Sequence, residues 1–162
     1  MRRLWAPWRM EYIRSPSLGG CIFCKKPGTN PQEALTLYSD DLIWVMLNRY
    51  PYSNGHLLIY PLRHTPIIED FSPEEGRRLF ALIQASTTIL SEAMASEGFN
   101  IGMNVGRVAG AGIDEHIHLH VVPRWAGDAN FMPILADVKI MPEHLEESYK
   151  KLSLPFQKIN LS

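Results

Sequence analysis

His116-Ile117-His118-Leu119-His120-Val121-Val122 constrains this chain more than any other stretch. Side chains on a β-strand alternate between faces, so a strand here sends three imidazoles to one side and Ile117, Leu119 and Val121 to the other. The apolar set can fill a core. The imidazole set is a poor structural choice, because each ring needs a hydrogen-bond partner when buried. One isolated histidine on a strand is commonly a surface or a satisfied core residue, but three in strict alternation, half of the six in the chain, call for a chemical reason. Two chemistries use such an array. A His-x-His pair can place two ligands on one metal ion. Alternatively, one neutral imidazole attacks phosphorus while its neighbours bind phosphate oxygens and move protons. Gly106, Gly110 and Gly112 lie just upstream and let the backbone approach an anion closely and aim N–H groups at it. That loop has neither the Walker lysine nor the Rossmann glycine spacing, and taken alone it reads equally as a turn.

The rest of the chain reads as one α+β domain over residues 21–162, preceded by an irregular arm over 1–20 rich in Arg, Trp and Pro. With 162 residues and 46% hydrophobic composition, the chain buries roughly 70% of its unfolded surface and needs no disulfide framework. Strands are expected at Leu35–Ser39, Leu42–Asn48 and His56–Leu62, with Pro51 and Asn54-Gly55 marking the loop between the last two. The clearest helix runs from Pro73 to Glu97, capped by Ser72 with Glu75 closing a capping box, Leu79, Leu82, Ile83 and Leu90 on one face, and Gly98 as its stop. Strands at Phe99–Gly106 and Glu115–Arg124 and a shorter helix at Pro142–Leu152 complete the pattern, which argues for helices on one face of an antiparallel sheet. The net charge of -1 gives no field that draws the chain to nucleic acid or to an anionic membrane. No signal-peptide h-region or membrane-length apolar run is present, so a cytoplasmic protein is expected. Trp44, Met46 and Met103 read as core, Arg77-Arg78 as a solvated helix face, and His144 and Lys150-Lys151 as surface. Arg49, Arg107 and Arg124 read equally as surface residues or as contacts to the distal phosphates of a polyphosphate.

His-φ-His-φ-His-φ-φ, with φ apolar, resembles the signature of the histidine triad (HIT) superfamily of nucleotide hydrolases and transferases. The likeness extends from Cys21 to Arg124. Asn48-Arg49 followed by Gly55-His56-Leu57-Leu58-Ile59-Tyr60-Pro61 resembles the family's nucleotide-pocket strand and loop, and Asn104-Val105-Gly106 its second pocket strand. The stretch from Gly110 to Trp125 and the arm Leu4-Trp5-Ala6-Pro7-Trp8-Arg9 are similar to a bacterial branch of diadenosine tetraphosphate phosphorylases. The resemblance implies cleavage of a dinucleoside polyphosphate through a nucleotidyl-histidine intermediate. His118 would attack the α-phosphorus, His120 would contact the α-phosphate, and His56 would support the triad side of the pocket. Asn48 would contact ribose, Asn104 the phosphate or the far side of the substrate, and Gly110 and Gly112 the phosphoryl charge. It also implies a homodimer that joins sheets across a two-fold axis and buries the long helix there, and no organic cofactor. Where the phosphoramidase-like branch carries Ser or Thr before the triad, this chain has Ile113-Asp114-Glu115. Where the uridylyltransferase-like branch has Gln, it has His120. Phosphoramidate hydrolysis and a nucleotide-binding sensor are the competing functions. A metal-dependent oxygenase built on the three histidines would leave the glycines and asparagines unexplained.

Cys21-x-x-Cys24 supplies half of a tetrahedral zinc site. Two structural thiols or a redox pair are alternatives, although Lys25-Lys26-Pro27-Gly28 is a poor helix continuation for the latter. The missing ligands would be histidines, with His64 and His116 the chosen pair. A structural zinc on Cys21, Cys24, His64 and His116 is what the resemblance implies.

Overall fold

The computed structural model describes residues 20–24, 31–128, 141 and 143–161. Apart from Gly20, the expected arm lies outside the described residues, as does Pro142. Five strands, β1 (Thr36–Ser39), β2 (Ile43–Leu47), β3 (Leu57–Pro61), β4 (Gly98–Met103) and β5 (Leu119–Arg124), form one sheet. Their order is β1-β2-β3-β5-β4, and every neighbouring pair is antiparallel. Helix α1 (Pro73–Met94) packs on β2, β3 and β5, and α2 (Leu145–Gln157) packs on β1 and α1. The α+β expectation holds.

Alternation along the strands divides the sheet into two unlike faces. Ile43, Val45 and Leu47 of β2 are fully buried toward the helices, as are Leu57 and Ile59 of β3 and Val121 of β5. From the helices, Leu82, Leu90, Leu152 and Phe156 close this core without exposed surface. Each such aliphatic side chain contributes on the order of 1.5–3 kcal/mol. On the opposite face Cys21, Phe23, Leu58 and Tyr60 form a smaller cluster. Met103 packs against the main core, and Trp44 and Met46 pack, half-buried, against that second cluster, in keeping with the core expectation. Their parity on β2 places them across the sheet from the helices.

Strands β1 to β3 are trimmed by a residue at one or both ends, and β4 stops at Met103 instead of Gly106. Further departures occur at the end of α1, at both ends of α2 and at the start of β5. Helix α1 stops at Met94 because Ala95 turns left-handed at φ 51°, and Gly98 starts β4 instead of ending the helix. Its start is as expected: Ser72 Oγ accepts from the Glu75 N–H at 3.1 Å, and Glu75 accepts from the Ser72 N–H at 2.7 Å. Helix α2 begins at Leu145 and runs past Leu152 to Gln157, because Tyr149, Leu152 and Phe156 are buried at helical spacing. The ladder of β5 begins at Leu119 rather than at Glu115, since Met103↔Leu119 is the last pair with β4 and the Ile117 N–H donates to the Thr65 carbonyl at 2.7 Å. Arg77 pairs with Glu74 on the surface, but Arg78 is not a solvated residue. Its guanidinium meets Asp40 at 3.1 Å with both side chains less than a fifth exposed.

The loop joining β2 to β3 carries His56 and is held from below by α1. Gly55 adopts φ +72°, and a Cβ there would come within 2.7 Å of the Met94 sulfur. Ser53 Oγ donates to the Pro123 carbonyl at 2.8 Å, tying the same loop to β5. Gly55→Ala should therefore cost about 1–2 kcal/mol through backbone strain and displacement of Met94. The melting temperature should fall by about 2–8 °C in calorimetry.

Candidate active site

Register brings the histidines together. Leu58↔His120 pairs β3 with β5, and His56 stands two residues before Leu58, so its ring lies on the same face as that of His120. His56 Nε2 and His120 Nδ1 are 2.9 Å apart. The Tyr52 main-chain N–H donates to His56 Nδ1 at 3.0 Å, and a main-chain N–H can only donate. In the neutral ring the proton of His56 is therefore on Nε2. It is given to His120 Nδ1, and His120 keeps its own proton on Nε2.

His118 is ordered differently. It is buried, 7% exposed, and its Nδ1 lies 2.9 Å from the main-chain carbonyl of His116. A carbonyl only accepts, so Nδ1 carries the proton and Nε2 carries a lone pair. Burial holds this imidazole below the ordinary histidine range, and the bond to the carbonyl offsets the effect only in part. The ring meets His120 edge-on with centroids 5.0 Å apart, and Phe23 packs on it at 5.0 Å. A neutral imidazole with an unblocked lone pair is the form that attacks an electrophile.

His116 leaves the other two. Its Nε2 donates to the Pro61 carbonyl at 2.8 Å, which turns the Nδ1 lone pair toward the thiols of Cys21 and Cys24 at 3.4 and 3.5 Å. His64 Nδ1 lies 3.1 Å from Cys24 Sγ. The four ligand atoms all lie within 4.8 Å of one another. Tetrahedral zinc with bonds of about 2.0–2.3 Å separates its ligands by about 3.3–3.8 Å, so the donor set and its spacing fit a metal. The three imidazoles do not converge on a single ion, which removes the geometric basis for an oxygenase centre.

Asn48 also joins the histidine group: its Oδ1 accepts from the Tyr50 N–H at 2.9 Å, and its Nδ2 lies 3.3 Å from His56 Nδ1. Asn104 follows β4 by one residue, one register step beyond Met103↔Leu119 and so level with His118. Gly110 ends a single 3-10 turn at Arg107–Ala109 with φ 90°, and Gly112 follows it in the loop leading to His116. The arginines have other commitments. Arg49 donates to the Glu33 carbonyl, Arg107 pairs with Asp114, and Arg124 pairs with Asp128 and donates to Asn100. Among the residues the sequence reading missed, Phe23 lies between the two cysteines and packs on His116, His118 and Tyr60. An aromatic side chain held between the two cysteines was the available signal. Tyr52 carried none beyond its place in a turn.

Comparison with known proteins agrees with this arrangement. The HIT domain profile matches residues 30–127. An AP-4-A phosphorylase of Mycobacterium tuberculosis is 35% identical over 162 residues, spanning 94% of this chain and 83% of its own. A bis(5'-adenosyl)-triphosphatase of Dictyostelium discoideum is 29% identical over 87 residues, 54% of this chain and 58% of its own. A zinc-bound histidine triad protein from Mycobacterium smegmatis superposes with a TM-score of 0.66 at 28% identity, covering 85% of this chain and 94% of that one. With a profile match over more than half its length and three alternating histidines leading into the central pairing of β3 and β5, the chain belongs to the histidine triad (HIT) family.

Proposed function

We propose that the protein is a nucleotidyl-transferring hydrolase or phosphorylase that cleaves dinucleoside polyphosphates, with diadenosine tetraphosphate as the substrate to test. The observation that carries this reading is the nitrogen assignment at His118: Nδ1–H is held by the His116 carbonyl, and the Nε2 lone pair belongs to a neutral, buried ring. Nε2 attacks the α-phosphorus, an N–P bond forms as the P–O bond to the leaving polyphosphate breaks, and water or inorganic phosphate then takes the nucleotidyl group. His120 donates its Nε2–H to a phosphoryl oxygen, where added charge gathers in the transition state. His56 supports His120, and Asn48, Asn104, Gly110 and Gly112 line the nucleotide and phosphate positions. The names and extents of similarity of the M. tuberculosis and D. discoideum relatives support the substrate class.

His118→Gly should abolish turnover of diadenosine tetraphosphate and leave nucleotide affinity nearly intact, whereas His120→Ala should impair both. Rapid quenching with labelled substrate should trap a nucleotidyl group on the peptide containing His118. Full activity in His118→Gly would reject the mechanism. Because burial lowers the pKa of His118, the reactive neutral ring should persist as pH falls through 6.5, the ordinary histidine value. The acid limb of kcat/KM, which reports the free enzyme, should therefore lie below that value.

Zinc is the ion proposed for Cys21, Cys24, His64 and His116. When bound it supplies no reaction step: it ties the 21–24 turn to His64 and fixes His116, whose carbonyl orients His118. The zinc-bound M. smegmatis structure supports the choice of ion. Elemental analysis should find about one zinc per chain, and Cys24→Ser should lose it together with thermal stability. Equal melting temperatures for metal-free and metal-loaded protein would remove the structural role.

A homodimer is proposed on the open edge of β4, where Ile101 on the strand is 45% exposed and Val105, two residues past its end, 42%. An unpaired edge strand is a template for pairing with a second copy. Light scattering at micromolar concentration should give the mass of a dimer, and a monodisperse monomer would reject it. No described helix is long and apolar enough to cross a membrane, and the chain is proposed to act in the cytoplasm. The arm over residues 1–20 is proposed as an appendage to the single domain at 21–162.

A further inference from the structure

We propose that Tyr52 is a positioning residue for the His56–His120 pair, selecting its tautomers with a main-chain N–H and holding both rings with its own. The proposal rests on the reading of His120 as the donor to a substrate phosphoryl oxygen.

Two neutral imidazoles joined by one hydrogen bond can be arranged in two ways. His56 Nε2–H can donate to His120 Nδ1, or His120 Nδ1–H can donate to His56 Nε2. Only the first leaves a proton on His120 Nε2. The second would turn a lone pair toward an anionic oxygen, which is repulsive and gives the phosphate nothing. The choice is made at the far nitrogen of His56. Tyr52 places a main-chain N–H 3.0 Å from His56 Nδ1, and that contact is satisfied only when Nδ1 is unprotonated. Asn48 Nδ2 adds a second approach at 3.3 Å, its amide orientation set by Oδ1 accepting from the Tyr50 N–H. The donor is itself held in place. Ser53, the next residue, is bonded to the Pro123 carbonyl, and Gly55 sits against Met94 and Leu90.

The side chain of Tyr52 acts on the same pair. Its ring stacks on His56 at 4.8 Å with an interplanar angle of 28°, and on His120 at 5.9 Å with an angle of 18°. Near-parallel contact with both imidazoles restricts their rotation about χ2. Tyr52 is 48% exposed, so its contribution to the core is small beside its effect on ring orientation. Backbone and side chain of one residue thus act on a single outcome, an N–H of fixed direction at His120 Nε2.

The test combines nitrogen-15 NMR of labelled histidines with steady-state kinetics on diadenosine tetraphosphate. In the wild-type protein His56 and His120 should both show the neutral Nε2–H tautomer. Tyr52→Ala keeps the N–H and loses the ring. It should retain the His56 tautomer, broaden the His120 signals, and lower kcat by about tenfold, the scale of one lost aromatic contact, with KM nearly unchanged. Tyr52→Pro removes the N–H and should give mixed tautomers at His56 with a larger fall in kcat. The proposal is overturned if wild-type His56 carries its neutral proton on Nδ1, if folded Tyr52→Pro keeps the wild-type tautomer, or if Tyr52→Ala leaves kcat and the His120 signals unchanged. Should Tyr52→Pro not fold, the wild-type tautomers and Tyr52→Ala decide the matter. Expected tautomers in a wild-type protein without turnover would overturn the functional reading alone, because the NMR result stands without catalysis.

Discussion

The main-chain carbonyl of His116 is the acceptor on which the site depends. It takes the Nδ1 proton of His118 and thereby frees the nitrogen on the other side of that ring. Its position is set by the side chain of the same residue, which is anchored through Nε2–H to Pro61 and faces Cys21 and Cys24 through Nδ1. One residue thus connects the Cys/His cluster, the end of β3 and His118. His116 has no exposed surface. Desolvation at such a place disfavours a charged ring, so each nitrogen must find a definite neutral role.

The sheet makes this possible by being unlike on its two faces. The helix-covered face carries the main core, with Ile43, Val45, Leu57, Ile59 and Val121 fully buried. The other face gives up apolar burial to imidazoles and is compensated by a small aromatic cluster, in which Phe23 packs against Tyr60, His116 and His118. These contacts help bury the His118 ring, and burial shifts its pKa downward. At the far end of the triad, the loop before β3 orders His56 and His120 through hydrogen bonds from main-chain and amide donors. The two ends are ordered by different groups, one by a carbonyl and the other by an N–H, and the rings of His118 and His120 meet edge-on with centroids 5.0 Å apart.

Much of this was legible in the chain itself. Alternation at residues 116–122 requires imidazoles on one face and aliphatic residues on the other, whatever the rest of the fold. Ser72, Pro73 and Glu75 fix the start of α1 by interactions within four residues. The Cys21/Cys24 spacing supplies paired ligands, and the choice of His64 and His116 beside them agrees with a cluster whose ligand atoms lie within 4.8 Å. The strand alternation, the helix start and the cysteine spacing are local, so no long-range contact was needed to read them. The choice of His64 and His116 came instead from the family resemblance.

What only the tertiary structure decided is where each of these groups spends its hydrogen bonds. Cys21 and His116 are 95 residues apart, and no local pattern shows that His116 turns from its neighbours toward the thiols. The Ile117 N–H goes to Thr65, so the β5 ladder starts at Leu119 and not at Glu115. Arg78 reads as a surface cation until Asp40, 38 residues away, is brought against it. Trp44 and Met46 follow the strand alternation, but only the packing of both helices on one side reveals that theirs is the face of the site. The sequence by itself determined which side chains share a face, because strand and helix periods are properties of the backbone. Which nitrogen of each histidine holds a proton depends on carbonyls and N–H groups, such as those of Pro61 and Tyr52, that only the folded chain brings within 3 Å.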